Sequence, residues 1–130
     1  MKVGGQIAYV EQEPIVFSDT IRKNILFGRK YDEEKYEHVV KSSCLKADFQ
    51  ILAEGDQTVV GEKGITLSGG QKARLALSRA LYADGDIYLL DDPISAVDAK
   101  VAKKIFEGCL RPLCEKKTIL LVTHQIGYVE

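Results

Sequence analysis

The chain has 130 residues, of which 45% are hydrophobic and 28% charged, a composition typical of one soluble globular domain. Its formal net charge of −1 gives no electrostatic basis for a nucleic-acid partner, and we expect none. The longest aliphatic run, Ile119 to Val122, is far shorter than the ~20 residues that a membrane-spanning helix needs. We therefore expect any membrane role to come through a partner or another part of a longer polypeptide.

The first half of the chain predicts one strand followed by helices. A short apolar run from Gln6 to Val10 predicts the strand. Thr20 can cap a short helix that ends at Gly28, and Asp32 can cap a second helix with acidic residues in its first turn. The spacing of apolar residues predicts the buried stripe of this second helix as Tyr36, Val39, Val40 and Cys44.

The second half predicts alternating helices and strands. Residues 55–67 predict an extended loop with a short strand at 58–60. Two apolar runs, Ile87 to Leu90 and Thr118 to Val122, predict strands covered on both faces, with a helix from about Asp98 to Leu110 between them. This order implies a right-handed crossover between parallel strands. The helix after Gly70 has the clearest periodicity, with a predicted buried stripe of Ala73, Ala76, Leu77, Ala80 and Leu81.

A serine and two glycines mark the start of that last helix, within the sequence Leu67-Ser68-Gly69-Gly70-Gln71. Unpaired N–H groups and the positive end of the helix dipole favour an anion at such a position. The glycines would let the backbone approach a phosphate closely, and the Ser68 hydroxyl could add a donor. An ordinary serine N-cap followed by a flexible turn is the alternative interpretation.

Two carboxylates, Asp91 and Asp92, follow the predicted strand that begins at Ile87. Ligands bind at the carboxyl ends of strands in open α/β sheets, and a carboxylate there suits Mg²⁺ beside a phosphate. The alternative is that both aspartates only cap the loop before Pro93.

Together, the two motifs resemble the LSGGQ signature and the Walker B strand of ATP-binding cassette (ABC) ATPases. The resemblance covers nearly the whole chain, and it is closest to the first nucleotide-binding domain of the multidrug-resistance-associated protein class of exporters. The 130 residues contain no G-x-x-x-x-G-K-[ST] phosphate loop, the Walker A motif of this family. The segments that carry the class resemblance are TIRKNILFG (Thr20 to Gly28), GEKG (Gly61 to Gly64), DIYLLDDPISAVDAKV (Asp86 to Val101) and LLVTHQ (Leu120 to Gln125).

The resemblance implies a role for each candidate site residue. Asp91 would coordinate Mg²⁺, and Asp92 stands where the family usually has a catalytic glutamate. His124 would be the switch histidine that holds the attacking water, and Gln12 would be the Q-loop glutamine that contacts Mg²⁺ and water. Leu67, Ser68, Gly69, Gly70 and Gln71 would bind nucleotide as the signature, and Asp98 would be the D-loop aspartate or, alternatively and compatibly, a plain N-cap.

The same resemblance implies an α/β fold, with a partial P-loop NTPase (RecA-like) core of parallel strands and an inserted helical signature subdomain. We expect residues 1–17 and 84–130 to form the core part and residues 18–83 the signature subdomain. The implied cofactors are ATP and Mg²⁺. The implied partners are a second nucleotide-binding domain in a head-to-tail ATP sandwich, and transmembrane domains that dock through coupling helices near Gln12 and Glu62.

The function implied by the resemblance is an ATPase domain that couples ATP binding and hydrolysis to transport of an unidentified substrate. We expect the segment to be soluble, to lie at the cytoplasmic face of a membrane within an integral transporter, and to be inactive alone without Walker A. The alternative is a regulatory module that gates a channel or receptor of the same class. A DNA or translation ATPase and an inert fragment are further alternatives, and Ile15-Val16-Phe17 is equally compatible with a docking patch or with core.

Overall fold

The fold is known from a computed structural model that describes residues 7–11, 14–91, 93 and 96–122. Its strands are β1 (Ile7–Val10), β2 (Asp19–Thr20), β3 (Val59–Val60), β4 (Ile87–Asp91) and β5 (Thr118–Val122). Its α-helices are α1 (Ile21–Leu26), α2 (Glu33–Ser42), α3 (Lys46–Ile51), α4 (Gly69–Ala83), α5 (Ala99–Ile105) and α6 (Arg111–Lys116). A 3₁₀ turn spans Gly55–Gln57, and a π-helical segment spans Phe106–Leu110.

A three-stranded parallel sheet in the order β1-β4-β5 confirms the predicted α/β class. The register places Val10 beside Leu90 and Asp91 beside Val122. Because all three strands are parallel, their carboxyl ends lie at one edge of the sheet. The strands β2 and β3 form a separate antiparallel pair.

The predicted caps of the first two helices are confirmed. The Thr20 hydroxyl accepts a hydrogen bond from the Lys23 N–H at 3.1 Å, and the Asp32 carboxylate accepts one from the Lys35 N–H at 3.2 Å. The prediction that Cys44 continues the α2 stripe is wrong, because the helix ends at Ser42 and Cys44 has a φ of +61°. A left-handed residue cannot extend a right-handed helix.

Helix α4 is buried on two sides, and its predicted stripe is confirmed. Ala73, Ala76, Leu77 and Ala80 belong to a hydrophobic cluster with β1, β4 and α5, which we call the sheet cluster. Leu75 and Tyr82 belong to a second cluster with α1 and α2, which we call the helical cluster. Leu81 contacts both. The signature motif at the start of α4 therefore rests on a helix held from two directions.

The prediction that β4 and β5 are covered on both faces is wrong for β5 in the part of the chain that the structure describes. In β4, Tyr88 and Leu90 are buried and Ile87 and Leu89 are half-buried, whereas Leu120 of β5 is 60% exposed. The physical reason is that α4, α5 and the π-helical segment all pack against the same buried strand residues in the sheet cluster. Among the described residues, no comparable cover lies over Leu120 on the other face of β5.

The helix predicted from about Asp98 to Leu110 exists but is longer and irregular. It begins as α5, continues through the π-helical segment and ends as α6. Pro112 follows the π-helical segment within this continuous helix, where its missing N–H removes one backbone donor. The apolar pattern predicts a buried stripe of Val101, Ala102, Ile105, Phe106 and Cys109. Ala102, Ile105 and Cys109 are buried, and Val101 and Phe106 pack half-buried against the sheet cluster.

Within the described ranges, no helix combines the length and the apolar character required to cross a bilayer. The longest of the α-helices given above, α4, has 15 residues. The division into a core part and a signature subdomain remains a prediction.

The side chain of Leu77 tests the role of α4 in stability. Leu77 is fully buried in the sheet cluster, so Leu77→Ala should lower the free energy of unfolding by about 3 kcal/mol through lost burial and a residual cavity. Ile51 is 83% exposed, and Ile51→Ala should change it by less than about 0.5 kcal/mol. Urea denaturation measures the free energy of unfolding of both variants. Equal decreases in the two variants would contradict this packing.

Candidate functional site

A reciprocal pair of hydrogen bonds defines the start of α4. The Ser68 hydroxyl oxygen accepts from the Gln71 N–H at 3.1 Å, and the Gln71 side-chain oxygen accepts from the Ser68 N–H at 2.9 Å. Ser68 is thus an N-cap with a full capping box, as the alternative interpretation of the sequence required. No acceptor among the described residues pairs with the N–H groups of Gly69 and Gly70. These two donors and the helix dipole are suited to an anion.

The segment that leads into the motif is tightly packed. Leu67 is buried in the helical cluster. A Cβ on Gly64 would lie 2.0 Å from the Val59 carbonyl oxygen, and a Cβ on Gly61, where φ is +87°, would lie 2.9 Å from the Ser18 Cα. The backbone approaches itself so closely here that only glycine fits without a shift.

The segment resembling the D-loop lies against the start of α4. A Cβ on Gly70 would meet the Ala96 carbonyl oxygen at 3.2 Å, and one on Gly69 would meet the Ala96 Cβ at 3.5 Å. Asp98 is exposed and caps α5, accepting from the Lys100 N–H at 3.0 Å. The capping interpretation of Asp98 is therefore correct, and its contact with an opposing domain remains a prediction.

Asp91 ends β4, half-buried, at the carboxyl edge of the parallel sheet. Gln12 and His124, which are expected to contribute to the same site, come two residues after β1 and β5 in the sequence. Gln12, Asp92 and His124 themselves lie outside the described residues. Their roles, and the placement of a nucleotide among them, remain predictions.

Asp91 fits the donor set that Mg²⁺ uses beside phosphates. Mg²⁺ is usually bound by one or two carboxylates, substrate phosphates and waters, and not by an all-protein cage. The described residues contain no group of three or more histidine, cysteine or acidic side chains that could hold a metal. A single strand-end carboxylate is compatible with Mg²⁺ that arrives with a nucleotide.

Sequence reasoning missed a half-buried polar network next to the motif. The Asp48 carboxylate, on α3, accepts from the Gln71 side-chain amide at 3.0 Å and from the Arg74 guanidinium at 2.5 Å. Arg74 also donates to the Gly70 carbonyl oxygen at 3.2 Å. Arg74 lies off the apolar stripe of α4. The helical pattern therefore predicted that its side chain faces away from the sheet, but it did not predict a partner. Nothing in the sequence identified Asp48 as its partner.

The structure divides Ile15-Val16-Phe17 between core and surface, and a docking role for the surface part remains a prediction. Val16 packs against the helical cluster, whereas Ile15 and Phe17 are exposed. Glu62, also exposed, shares a cavity of about 320 Å³ with Val16 and Pro14. The two landmarks predicted for coupling-helix docking, the segment after Gln12 and Glu62, therefore border one depression.

An exposed aromatic pair lies beside this surface and is tied to α4. The rings of Phe17 and Phe27 are 5.4 Å apart, and the Arg79 guanidinium lies 5.3 and 5.4 Å from their centroids. Arg79 also donates to the Asn24 carbonyl oxygen at 2.9 Å, and burial lowers the pKa of its guanidinium. The helix that begins at the signature thus also supports this aromatic surface.

A separate cavity of about 450 Å³ borders Arg22, Tyr31, Tyr36 and Phe49 and does not include the motif residues. A phosphate-binding helix start that serves a facing domain does not require a deep pocket within its own chain. This cavity lies apart from the proposed phosphate-binding residues.

Comparison with known proteins agrees with this geometry. The ABC transporter family profile matches residues 1–95. The chain is 57% identical to human ATP-binding cassette sub-family C member 4 over all of its 130 residues, which are 10% of that protein. It is 53% identical to the Caenorhabditis elegans multidrug resistance protein mrp-7 over 98% of the chain and 8% of the relative. It is 51% identical to Arabidopsis thaliana ABC transporter C family member 9 over 99% of the chain and 9% of the relative.

The chain thus spans about a tenth of the length of these curated relatives. The matched profile covers the first strand, the signature helix and the Walker B strand. Identity to C-subfamily members extends over essentially the whole chain in relatives from a human, a nematode and a plant. The chain therefore belongs to the ABC transporter family, with multidrug-resistance-associated proteins of the C subfamily as its relatives.

Proposed function

We propose that this chain is part of the first nucleotide-binding domain of a C-subfamily exporter and couples ATP binding and hydrolysis to substrate transport. The observation that carries the proposal is the start of α4, where two glycine N–H groups have no acceptor among the described residues. Their backbone donors and the positive helix end complement the negative charge of a nucleotide phosphate. The site belongs at the cytoplasmic face of a membrane, where ATP is available.

The signature acts in trans in this proposal. Ser68, Gly69 and Gly70 would meet the γ-phosphate of an ATP held by the second nucleotide-binding domain in a head-to-tail sandwich. Leu67 and Gln71 hold the motif through burial and the capping box. Since Ala96 packs against the same glycines, the segment that includes Asp98 would lie at the same interface and report closure of the two domains.

The candidate residues outside the signature would act on a second ATP, bound by this domain. Asp91 would hold the Mg²⁺ of an ATP bound by this domain, with Gln12 contributing to the same ion and His124 holding the attacking water. Asp92 would make this the slow site, because its side chain is one methylene shorter than glutamate, about 1.5 Å of reach. A displacement of ~1 Å from a productive geometry can cost on the order of 10²-fold in rate.

Docking to transmembrane domains is proposed at the surface that includes Ile15, Phe17 and Phe27, with Glu62 at its border. Three exposed apolar side chains on neighbouring segments are typical of an interaction patch. Arg79 links the patch to α4, so a displacement of the docked helix would be transmitted along the same helix that presents the signature.

The second candidate function is a regulatory module that gates a channel or receptor. Asp92 favours it, because nucleotide binding without rapid turnover is sufficient for a switch. An exchange transporter, in which this chain replaces the aligned 130 residues of the human relative, separates the two candidates. ATP-dependent substrate accumulation in membrane vesicles would support the exporter, whereas ATP binding without any transport would support the switch.

The first test in the exchange transporter concerns Gly69. Gly69→Asp adds a negative charge where the phosphate would dock, and the ordinary 3.5 Å spacing to Ala96 lets the chain fold. We expect normal expression, retained ATP photolabelling and at least a tenfold loss of ATP-driven transport, since the dipole contribution of about 0.3–1 kcal/mol cannot offset the repulsion.

Gly108→Asp is the matched control for Gly69→Asp, because a Cβ on Gly108 meets nothing within 4 Å. It should leave transport unchanged. Transport that survives Gly69→Asp would refute the assignment of this motif as a phosphate clamp.

The second test concerns Asp92. Asp92→Glu should raise ATP turnover at the slow site, because the longer side chain can reach the attacking water, whereas Asp92→Asn should abolish the residual turnover. Single-turnover hydrolysis of radiolabelled ATP measures both. No change in either variant would show that the general base lies elsewhere.

A further inference from the structure

We infer that Asp48 and Arg74 are positioning residues that set the geometry of the phosphate-binding start of α4. This inference rests on the proposed function of the signature. The two residues would not touch nucleotide in their present positions; they act through Gln71 and Gly70.

Asp48 determines which way the Gln71 amide is turned. Its carboxylate can only accept hydrogen bonds, so it takes the NH₂ group of Gln71 at 3.0 Å. The amide oxygen is consequently directed to the Ser68 N–H, which it accepts at 2.9 Å. Without a fixed acceptor at this place, the amide could rotate and present its NH₂ group to the Ser68 N–H, where no hydrogen bond can form.

Arg74 holds Asp48 and the motif backbone together. Its guanidinium contacts both carboxylate oxygens of Asp48, at 2.5 and 3.3 Å, and donates to the Cys44 carbonyl oxygen at 2.9 Å. Its Nε donates to the Gly70 carbonyl oxygen at 3.2 Å. One side chain therefore joins α3, the turn before α3 and the second glycine of the signature.

The network is poorly accessible to water, so its charged groups depend on one another for hydrogen bonds. The side chains of Arg74 and Asp48 are 14% and 15% exposed. Removing one partner from such a pair leaves the other charged group desolvated without compensation, so the remaining group must move. Any movement of Arg74 or Gln71 displaces Gly70 or Ser68 directly.

A second ion pair in the same region provides a matched control. Arg22 bonds Asp56 at 2.8 Å, with side chains 33% and 16% exposed, and Tyr36 donates to the same carboxylate at 2.7 Å. The hydrogen bond from Arg22 to Asp56 raises the pKa of the Arg22 guanidinium. The pair joins α1 to the 3₁₀ turn, and none of its bonds includes a signature residue. Loss of this pair perturbs the fold without touching the motif.

The experiment is a double-mutant cycle in the exchange transporter, with the kcat and KM of ATP hydrolysis measured for Asp48→Asn, Gln71→Ala and the pair. We expect each single variant to lower kcat by about tenfold, with KM for ATP within about twofold, since a ~1 Å displacement costs up to 10² in rate. Because Asp48 acts in part through Gln71, the double variant should lower kcat by clearly less than the product of the two single effects. Asp48→Glu, which keeps the carboxylate, should recover part of the loss.

The control cycle combines Asp56→Asn with Gln71→Ala. Asp56→Asn should leave kcat within about twofold per folded molecule, and its effect should multiply with that of Gln71→Ala. Amide hydrogen exchange of the peptide from Leu67 to Gln71 should accelerate in Asp48→Asn and not in Asp56→Asn, which separates loss of the capping geometry from general loosening.

The failure of this inference differs from failure of the proposed function. If the unsubstituted exchange transporter neither hydrolyses ATP nor transports, the proposed function fails and the inference fails with it. If it is active but Asp48→Asn behaves as Asp56→Asn does, or if the Asp48 and Gln71 effects multiply, the positioning role is refuted while the proposed function stands.

Discussion

The burial of α4 between two hydrophobic clusters is the constraint on which the rest of the structure depends. Ala73, Ala76, Leu77 and Ala80 fix it to the sheet, and Leu75 and Tyr82 fix it to α1 and α2. Small residues on the sheet side allow the helix to approach the strands closely. Because the helix cannot shift against one cluster without disturbing the other, its first turn has a defined position relative to both. A phosphate-binding turn requires such definition.

Local features of the fold were predictable because their physical cause is local. Thr20, Asp32 and Asp98 were expected to cap helices, and each side chain bonds a backbone N–H two or three residues ahead. The α4 stripe followed from helical periodicity alone. The apolar runs around Leu89 and Leu120 predicted parallel neighbours, and the strands pair in that way. At the candidate site, the motif sequence predicted that Ser68 begins a helix, and it does.

Features that depend on distant contacts were not predictable from the pattern. Asp48 meets Arg74 and Gln71 across 26 and 23 residues, and no periodicity marks that pairing. Cys44 fits the α2 stripe by spacing, yet its left-handed backbone places it after the helix end. The apolar runs of the strands predicted cover on two faces. Hydrophobicity indicates that a strand face favours burial, but it does not identify the element that packs against that face. The functions assigned to Gln12, Asp92 and His124 rest on resemblance.

The register of the central sheet has a consequence for biosynthesis. Ile7 of β1 pairs with Ile87 of β4, so these neighbours in the sheet are 80 residues apart in the chain. At a synthesis rate of about 5–20 residues per second, β1 leaves the ribosome roughly 4–16 s before its partner strand is made. The helices between them, α1 to α4, emerge first and contribute local contacts that form faster than a distant strand pairing. During that interval the nascent strand β1 is a target for chaperones and for wrong pairing with neighbouring chains on a polysome. Its residues Ala8 and Val10, which are buried in the folded protein, are then still exposed.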